Sequence, residues 1–244
     1  MRQDRNPSTV LERAASISLV RDEVANQTGE PFLTFDAAVA SRGPRRIKRA
    51  LDIVVASIGL VIAAPVIALI VIAIRLESRG RAFFPHQRLG RTGRLFNCWK
   101  FRSMVQDAER LLHADDGLRH HYVSNHFKIP EHLDPRITRI GRFLRKTSLD
   151  ELPQLWNVLR GDMSLVGPRP IVPLESSYYG EELATLLSVR PGLTGAWAVH
   201  GRNKLGYPRR ASIELDYART WTLATDVRIL ARTPAVIVSQ TGVH

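Results

Sequence analysis

The chain has 244 residues, one cysteine (Cys98), and 35 basic against 23 acidic side chains, for a formal charge of +12. That length suits one domain with a proper core and a short appendage. A single cysteine excludes an intramolecular disulfide and a thiolate-rich zinc site, and fits a reducing compartment. The charge requires an anionic partner, which composition alone leaves open among nucleic acid, anionic lipid and a phosphorylated substrate.

Residues 1–44 mix charges, small residues and prolines without periodicity and read as a mobile tail. From Ile53 to Ile74 run 22 residues without a charge, enough at helical rise to cross a bilayer. Arginines and lysines crowd both flanks, from Arg42 to Arg49 before the run and from Arg75 to Arg94 after it. Both flanks therefore carry the mark of a cytoplasmic side, which a simple span cannot satisfy. Pro65, near the middle, removes a backbone donor and should bend the helix, leaving halves too short to span. A re-entrant hairpin over residues 45–80 meets both conditions; a kinked single-pass anchor is the competing reading.

Phe83-Phe84-Pro85 and Leu95–Phe101 read as short extended pieces around turns at Gly90 and Gly93. Residues 103–121 have helical spacing, and the histidines among and after them (His113, His120, His121, His126, His132) match no zinc signature. They read as a polar helix face. Asp134-Pro135 is a plausible helix start, followed by Arg136, Arg139, Arg142 and Arg145 at threefold spacing. Residues 212–239 are amphipathic, suited to the bilayer surface, with Pro234 expected to interrupt them.

Ser148-Leu149-Asp150-Glu151-Leu152-Pro153 places two adjacent carboxylates at an apparent helix start. Ser148 and Glu151 fit a capping box, where each side chain satisfies a backbone donor of the other. A chemical reading stands beside it. Helix-end donors keep Asp150 ionised, as an oxygen nucleophile must be, while Glu151, about 100° further round the axis, serves a different ligand such as magnesium. Lys100, Arg102, Arg145 and Arg169 supply cations for a polyphosphate, and Pro168 and Pro170 restrict the backbone that presents Arg169.

Several strings together resemble the bacterial sugar transferase family, the monotopic polyprenyl-phosphate phosphoglycosyl transferases, over roughly residues 45–244. They are Lys48-Arg49-Ala50-Leu51-Asp52, Lys100-Phe101-Arg102-Ser103-Met104, Thr147 through Gln154, Gly161 through Pro170, Pro191-Gly192-Leu193-Thr194-Gly195 and Gly201-Arg202-Asn203. The resemblance implies an α-rich α+β fold, with a re-entrant membrane helix hairpin and amphipathic interfacial helices around a small cytoplasmic catalytic domain at 81–244. It implies transfer of a sugar 1-phosphate from a UDP-sugar to polyprenyl (undecaprenyl) phosphate, with UMP released, at the start of exopolysaccharide, capsule or O-antigen assembly. In that scheme Asp150 forms a covalent phosphosugar and Glu151 binds Mg2+. Lys100, Arg102, Arg145 and Arg169 bind phosphates, and Arg202 and Asn203 contact sugar or nucleotide. The implied location is the cytoplasmic leaflet of the bacterial inner membrane, among its lipids, with both termini cytoplasmic and a homodimer allowed. Where members often carry serine before the hairpin proline, Ala64 precedes Pro65, so the bend relies on proline alone.

Two other classes compete: a membrane scaffold in which Asp150 and Glu151 only cap a helix, and a membrane-anchored nucleic-acid-binding protein. No helix-turn-helix, zinc-finger or aromatic RNA-binding signature accompanies the charge, so no nucleic-acid partner is assigned.

Overall fold

A computed structural model describes residues 42–124, 129–131, 133–201 and 205–238. The expected tail, up to residue 41, and the Arg202-Asn203 pair lie outside the described residues.

Helix α1 (Arg42–Glu77) opens the described chain and runs through Pro65 as one helix. It starts three residues before the expected boundary at 45. Its apolar residues lie all round the axis, the pattern of a helix without a single packed face. Among the described residues it is the one helix long and apolar enough to cross a membrane.

Both halves of α1 pack on the same domain. In the first half, Lys48 reaches the Val166 carbonyl at 2.9 Å and pairs with Asp226. One turn on, buried Asp52 accepts from the Leu165 N–H at 2.9 Å and the Ser164 hydroxyl at 3.1 Å. Arg49 gives both guanidinium ends to the carbonyls of Val158 and Leu159. The Lys48-Arg49-Ala50-Leu51-Asp52 string is thus an anchor. In the second half, Ile70 and Ile74 pack with Ala82, Phe101 and Leu144. Glu77 then accepts the first N–H groups of the helix that follows Thr138. Between the anchors Val61 and Ile62 are 75% and 71% exposed, apolar surface that water does not favour.

The short extended pieces expected around Gly90 and Gly93 are two paired antiparallel strands, β1 (Phe83–Leu89), longer than expected, and β2 (Leu95–Phe101), with Phe83 opposite Phe101 and Leu89 opposite Leu95. Two short helices follow, α2 (Ala108–Ala114) and α3 (Asp116–Ser124), in place of the single expected helical stretch. Helix α4 (Arg139–Thr147) begins later than Asp134-Pro135 suggests. Asp134 instead takes Arg136 in a two-point ion pair at 2.7 and 2.8 Å, and the Thr138 hydroxyl caps α4 by accepting from the Gly141 N–H. Arg136 therefore lies ahead of the helix.

After α5 (Gln154–Arg160), β3 (Ser164–Val166) runs parallel to β4 (Gly192–Thr194). The glycines of the two motif strings explain how these strands approach. A Cβ on Gly192 would sit 2.1 Å from the Gly167 nitrogen, and one on Gly195 would sit 2.0 Å from the Gly167 oxygen. Helices α6 (Leu183–Leu187), α7 (Ala196–Val199), α8 (Arg209–Thr220) and α9 (Leu223–Val238) complete the order. The amphipathic run at 212–239 is two helices parted at Trp221-Thr222, while Pro234 lies inside α9 without ending it. The break falls where Trp221, first residue past α8, takes extended backbone (ψ 141°).

Candidate active site

The Asp150 turn is built by the end of one helix. Ser148 adopts left-handed backbone (φ 59°, ψ 16°) and gives its N–H to the Arg145 carbonyl at 3.1 Å, closing α4. Residues Leu149–Glu151 form one 3-10 turn before Pro153 leads into α5. Because Ser148 is a C-terminal cap in left-handed backbone, its side chain caps no N–H of that turn, and the anticipated capping box does not form.

Lys100 replaces it. Its ammonium lies 2.7 Å from Glu151 Oε1 and 3.5 Å from Asp150 Oδ2. The two acids therefore meet one cation, where sequence spacing suggested separate ligands. Asp150 is 9% exposed. Burial pushes its carboxyl above the ordinary aspartate range, with the Lys100 charge opposing, the Glu151 charge reinforcing and Arg145 opposing again. Burial disfavours the Lys100 ammonium, but Glu151 and Asp150 more than offset it and hold Lys100 protonated.

Arg145 joins this group through a close helix approach. A Cβ on Gly141 would fall 2.0 Å from the Ser103 carbonyl oxygen, so only glycine lets α4 lie against the end of the Lys100–Met104 string. One turn on, Arg145 Nε donates to the Ser103 hydroxyl at 2.9 Å and Nη1 lies 3.7 Å from Glu131. Arg102 serves a different task from the one its motif suggests. Its Nη1 and Nη2 both donate at 2.7 Å to the carbonyls of Arg79 and Ser78, just past the end of α1.

Arg169 lies in a second cluster on the same side of the hairpin. Its Nη1 donates to Glu175 Oε1 at 2.8 Å and its backbone N–H to buried Glu214 at 3.2 Å. Glu175 also accepts the Val172 N–H at 3.0 Å and meets Arg88 at 3.5 Å. Burial works against charge in both partners, yet Glu175 holds Arg169 charged, and Arg169 keeps Glu175 below the ordinary glutamate range. Buried Arg88 donates to the Pro170 carbonyl at 3.1 Å and lies 3.3 Å from His86 Nδ1. Burial, then the charges of Arg88, Lys100 and Arg169, lower His86 to about 3, so the ring is neutral at pH 7. Cross-strand pairing sets His86 opposite Cys98, whose thiol burial raises to about 11.

Sequence reasoning missed His86, Arg88, Glu175 and Glu214. A signal existed for two of them: His86 and Arg88 alternate on one strand face, at the same period as Cys98 and Lys100 on its partner. Among the described residues no three His, Cys, Asp or Glu side chains gather as a ready-made metal cage. Magnesium needs none, since one or two carboxylates plus substrate phosphate oxygens suffice, and the Asp150-Glu151 pair supplies that donor set.

A long apolar helix anchored at both ends on a small domain, with buried Asp150 and half-buried Glu151 beside a cationic cluster, is an arrangement suited to a membrane surface and to anionic ligands. The chain belongs to the bacterial sugar transferase family, whose sequence model matches residues 43–240. It is 44% identical over 209 residues to an undecaprenyl-phosphate galactose phosphotransferase of Salmonella typhimurium, covering 84% of this chain and 43% of that protein. It is 38% identical over 197 residues to the exopolysaccharide production protein ExoY of Sinorhizobium fredii, covering 79% and 86%. A UDP-glucose:undecaprenyl-phosphate glucose-1-phosphate transferase of Caulobacter vibrioides is 40% identical over 196 residues, covering 76% and 67%. The match thus spans less than half of the Salmonella protein but most of the ExoY protein.

Proposed function

We propose that this chain is a phosphoglycosyl transferase that moves a sugar 1-phosphate from a UDP-sugar onto undecaprenyl phosphate, initiating a surface glycan. The observation that carries the reading is Asp150, buried beside Lys100 and Glu151 in a chain whose relatives are named for this transfer. Its carboxylate oxygen attacks the sugar-bearing phosphorus, the bond to the UMP oxygen breaks, and an aspartyl phosphosugar forms. An oxygen of undecaprenyl phosphate then attacks the same phosphorus, the acyl–phosphate bond breaks, and the carboxylate returns with the lipid diphosphate sugar as product. No net proton is taken up.

Glu151, with Asp150, is the residue fit to hold Mg2+, which when bound supplies neutralisation of diphosphate charge. Lys100 keeps the two acids from repelling each other. Arg169 and Arg88, fixed by Glu175, face the anionic donor, and Arg145 suits the phosphate of the lipid acceptor from beside Ser103.

The same reading makes α1 a re-entrant helix in the cytoplasmic leaflet, with both flanks on the cytoplasmic side. Its support is that residues around Lys48 and around Glu77 bind one domain while Val61, Ile62 and Pro65 stand clear. Basic flanks at anionic headgroups contribute roughly 1 kcal/mol per charge. Such a helix sets the nucleophile at the height of the acceptor phosphate.

The test is mass spectrometry of the full chain in lipid nanodiscs, with magnesium and UDP-sugars but no acceptor. A phosphosugar adduct on Asp150, absent in Asp150→Asn, is the expected result. UMP release that requires acceptor, with no adduct for any donor, would mean direct transfer and sink the covalent step.

A further inference from the structure

We propose that the cleft between the first turns of α1 and the tip of the β1–β2 hairpin is a second binding site, taking a phosphate-bearing anion. It is an open cleft lined by Arg45, Lys48, Arg91, Arg190 and Trp221, with Asp52 its acid.

Four cations line this cleft against one carboxylate, Asp52. Asp52 is already committed to the Ser164 hydroxyl and the Leu165 N–H, and Lys48 to Asp226 and the Val166 carbonyl. Among the described residues Arg91 and Arg190 meet no carboxylate. Arg190 spends Nε on the Gly161 carbonyl at 2.8 Å and keeps its two terminal nitrogens for a ligand. Burial, then the charges of Arg91 and Arg49, depress the Arg190 guanidinium; Asp52 opposes them and Arg45 adds to them, so several cations crowd one place. Like charges held together cost stability that a bound anion removes. A planar fork such as the one Arg190 offers matches phosphate oxygens two at a time.

The site is separate from the acid pair. Lys100 lies near the base of the hairpin, five residues along β2 from Leu95, or about 17 Å at strand rise. Arg91 lies beyond Leu95, in the turn at Arg91–Gly93. A donor sugar on Asp150 does not reach it. The phosphate has two possible sources: a phospholipid headgroup, since the cleft opens at the basic end of the apolar helix, or a soluble phosphate. The first source rests on the membrane reading above and the second does not.

The experiment is thermal unfolding of the full chain, without UDP-sugar or acceptor, so failure of transfer cannot mask the result. One arm adds inorganic phosphate at fixed ionic strength to protein in neutral detergent. The other compares nanodiscs of phosphatidylcholine with nanodiscs containing phosphatidylglycerol. The variant is Arg91→Gln, because Arg91 is exposed in the turn and its loss spares the fold; Arg190→Gln, which also loses the Gly161 contact, is the second.

A rise in midpoint of a few degrees that Arg91→Gln abolishes is expected, as ligand binding to the native state alone requires. A rise in the phosphate arm identifies the phosphate group itself as sufficient, whereas a rise only with phosphatidylglycerol identifies the headgroup of a lipid. No rise in either arm, or a rise equal in wild type and Arg91→Gln, overturns the proposal.

Discussion

Two charge clusters share the β1–β2 hairpin, and their composition is inverted. Around Lys100 one cation serves two acids, Asp150 and Glu151; around Glu175 one acid serves two cations, Arg88 and Arg169. Each alone is an imbalance that burial should punish. Side by side they give the proposed reaction a negative end to attack phosphorus and hold a metal, and a positive end to hold the charge being displaced. The chemistry needs that polarity along one axis, because a diphosphate presents a reacting phosphorus and a leaving group to opposite partners.

Removing the proposed nucleophile breaks this comparison most severely. Asp150→Asn is expected to lower transfer by about 10³-fold or more and to erase the phosphosugar adduct. The fold should persist, since Lys100 keeps Glu151 at 2.7 Å. Donor turnover with circular dichroism checks both, and activity within tenfold of wild type would place the chemistry elsewhere.

The cationic end should fail differently. Glu175→Gln leaves Arg88 and Arg169 facing each other without their shared acid, at a site that is partly buried. We expect a loss of about 10- to 100-fold in kcat/KM carried mainly by donor KM, and destabilisation of about 2 kcal/mol. A pure kcat loss as large as that of Asp150→Asn would assign the chemistry to both clusters and erase the distinction.

How much of this was legible in the sequence follows the same division. Asp150, Glu151, Lys100 and Arg145 were readable because local strings carry them. The turn between the two extended pieces was readable because glycines mark it, whereas the continuation of β1 from His86 to Leu89 was not. Glu214 was not readable, because its partner Arg169 lies 45 residues away, and Glu175 was not, because the pairing it makes joins Arg169, six residues off, to Arg88, 87 residues off. Ser148-x-x-Glu151 misled for a physical reason. Spacing cannot report that Ser148 closes a preceding helix in left-handed backbone, which leaves Glu151 for Lys100. Arg102, two residues from Lys100, has its guanidinium on the Ser78 and Arg79 carbonyls, a placement its motif does not report.

Protonation grades the comparison more finely. In the proposed reaction Asp150 must be ionised to attack, and burial raises its carboxyl, so transfer should fall as pH drops through a value above the ordinary aspartate range. Lys100 opposes that rise. In Lys100→Gln the acid limb of the kcat profile should therefore move to higher pH, with residual activity reduced several-fold. A limb that moves to lower pH would mean that Asp150 is not the group being titrated.

The smallest effect belongs to the residue that separates the clusters. His86 stands on the hairpin face between Lys100 and Arg88 and is neutral, lowered by burial and three cations from 6.5 to about 3. A neutral ring adds no charge to either end, so His86→Gln, which keeps a polar partner for Arg88, should change transfer at pH 7 by less than about twofold. Its consequence lies in stability. Between 6.5 and about 3 the unfolded chain takes up a proton on this imidazole that the folded chain refuses. The wild type therefore loses stability as pH falls through that window, and at low pH His86→Gln should lose less. Urea midpoints at pH 7 and pH 5 measure the difference. Equal pH slopes for the two proteins would show that His86 titrates normally when folded, and the boundary between the clusters would then become cationic in mild acid.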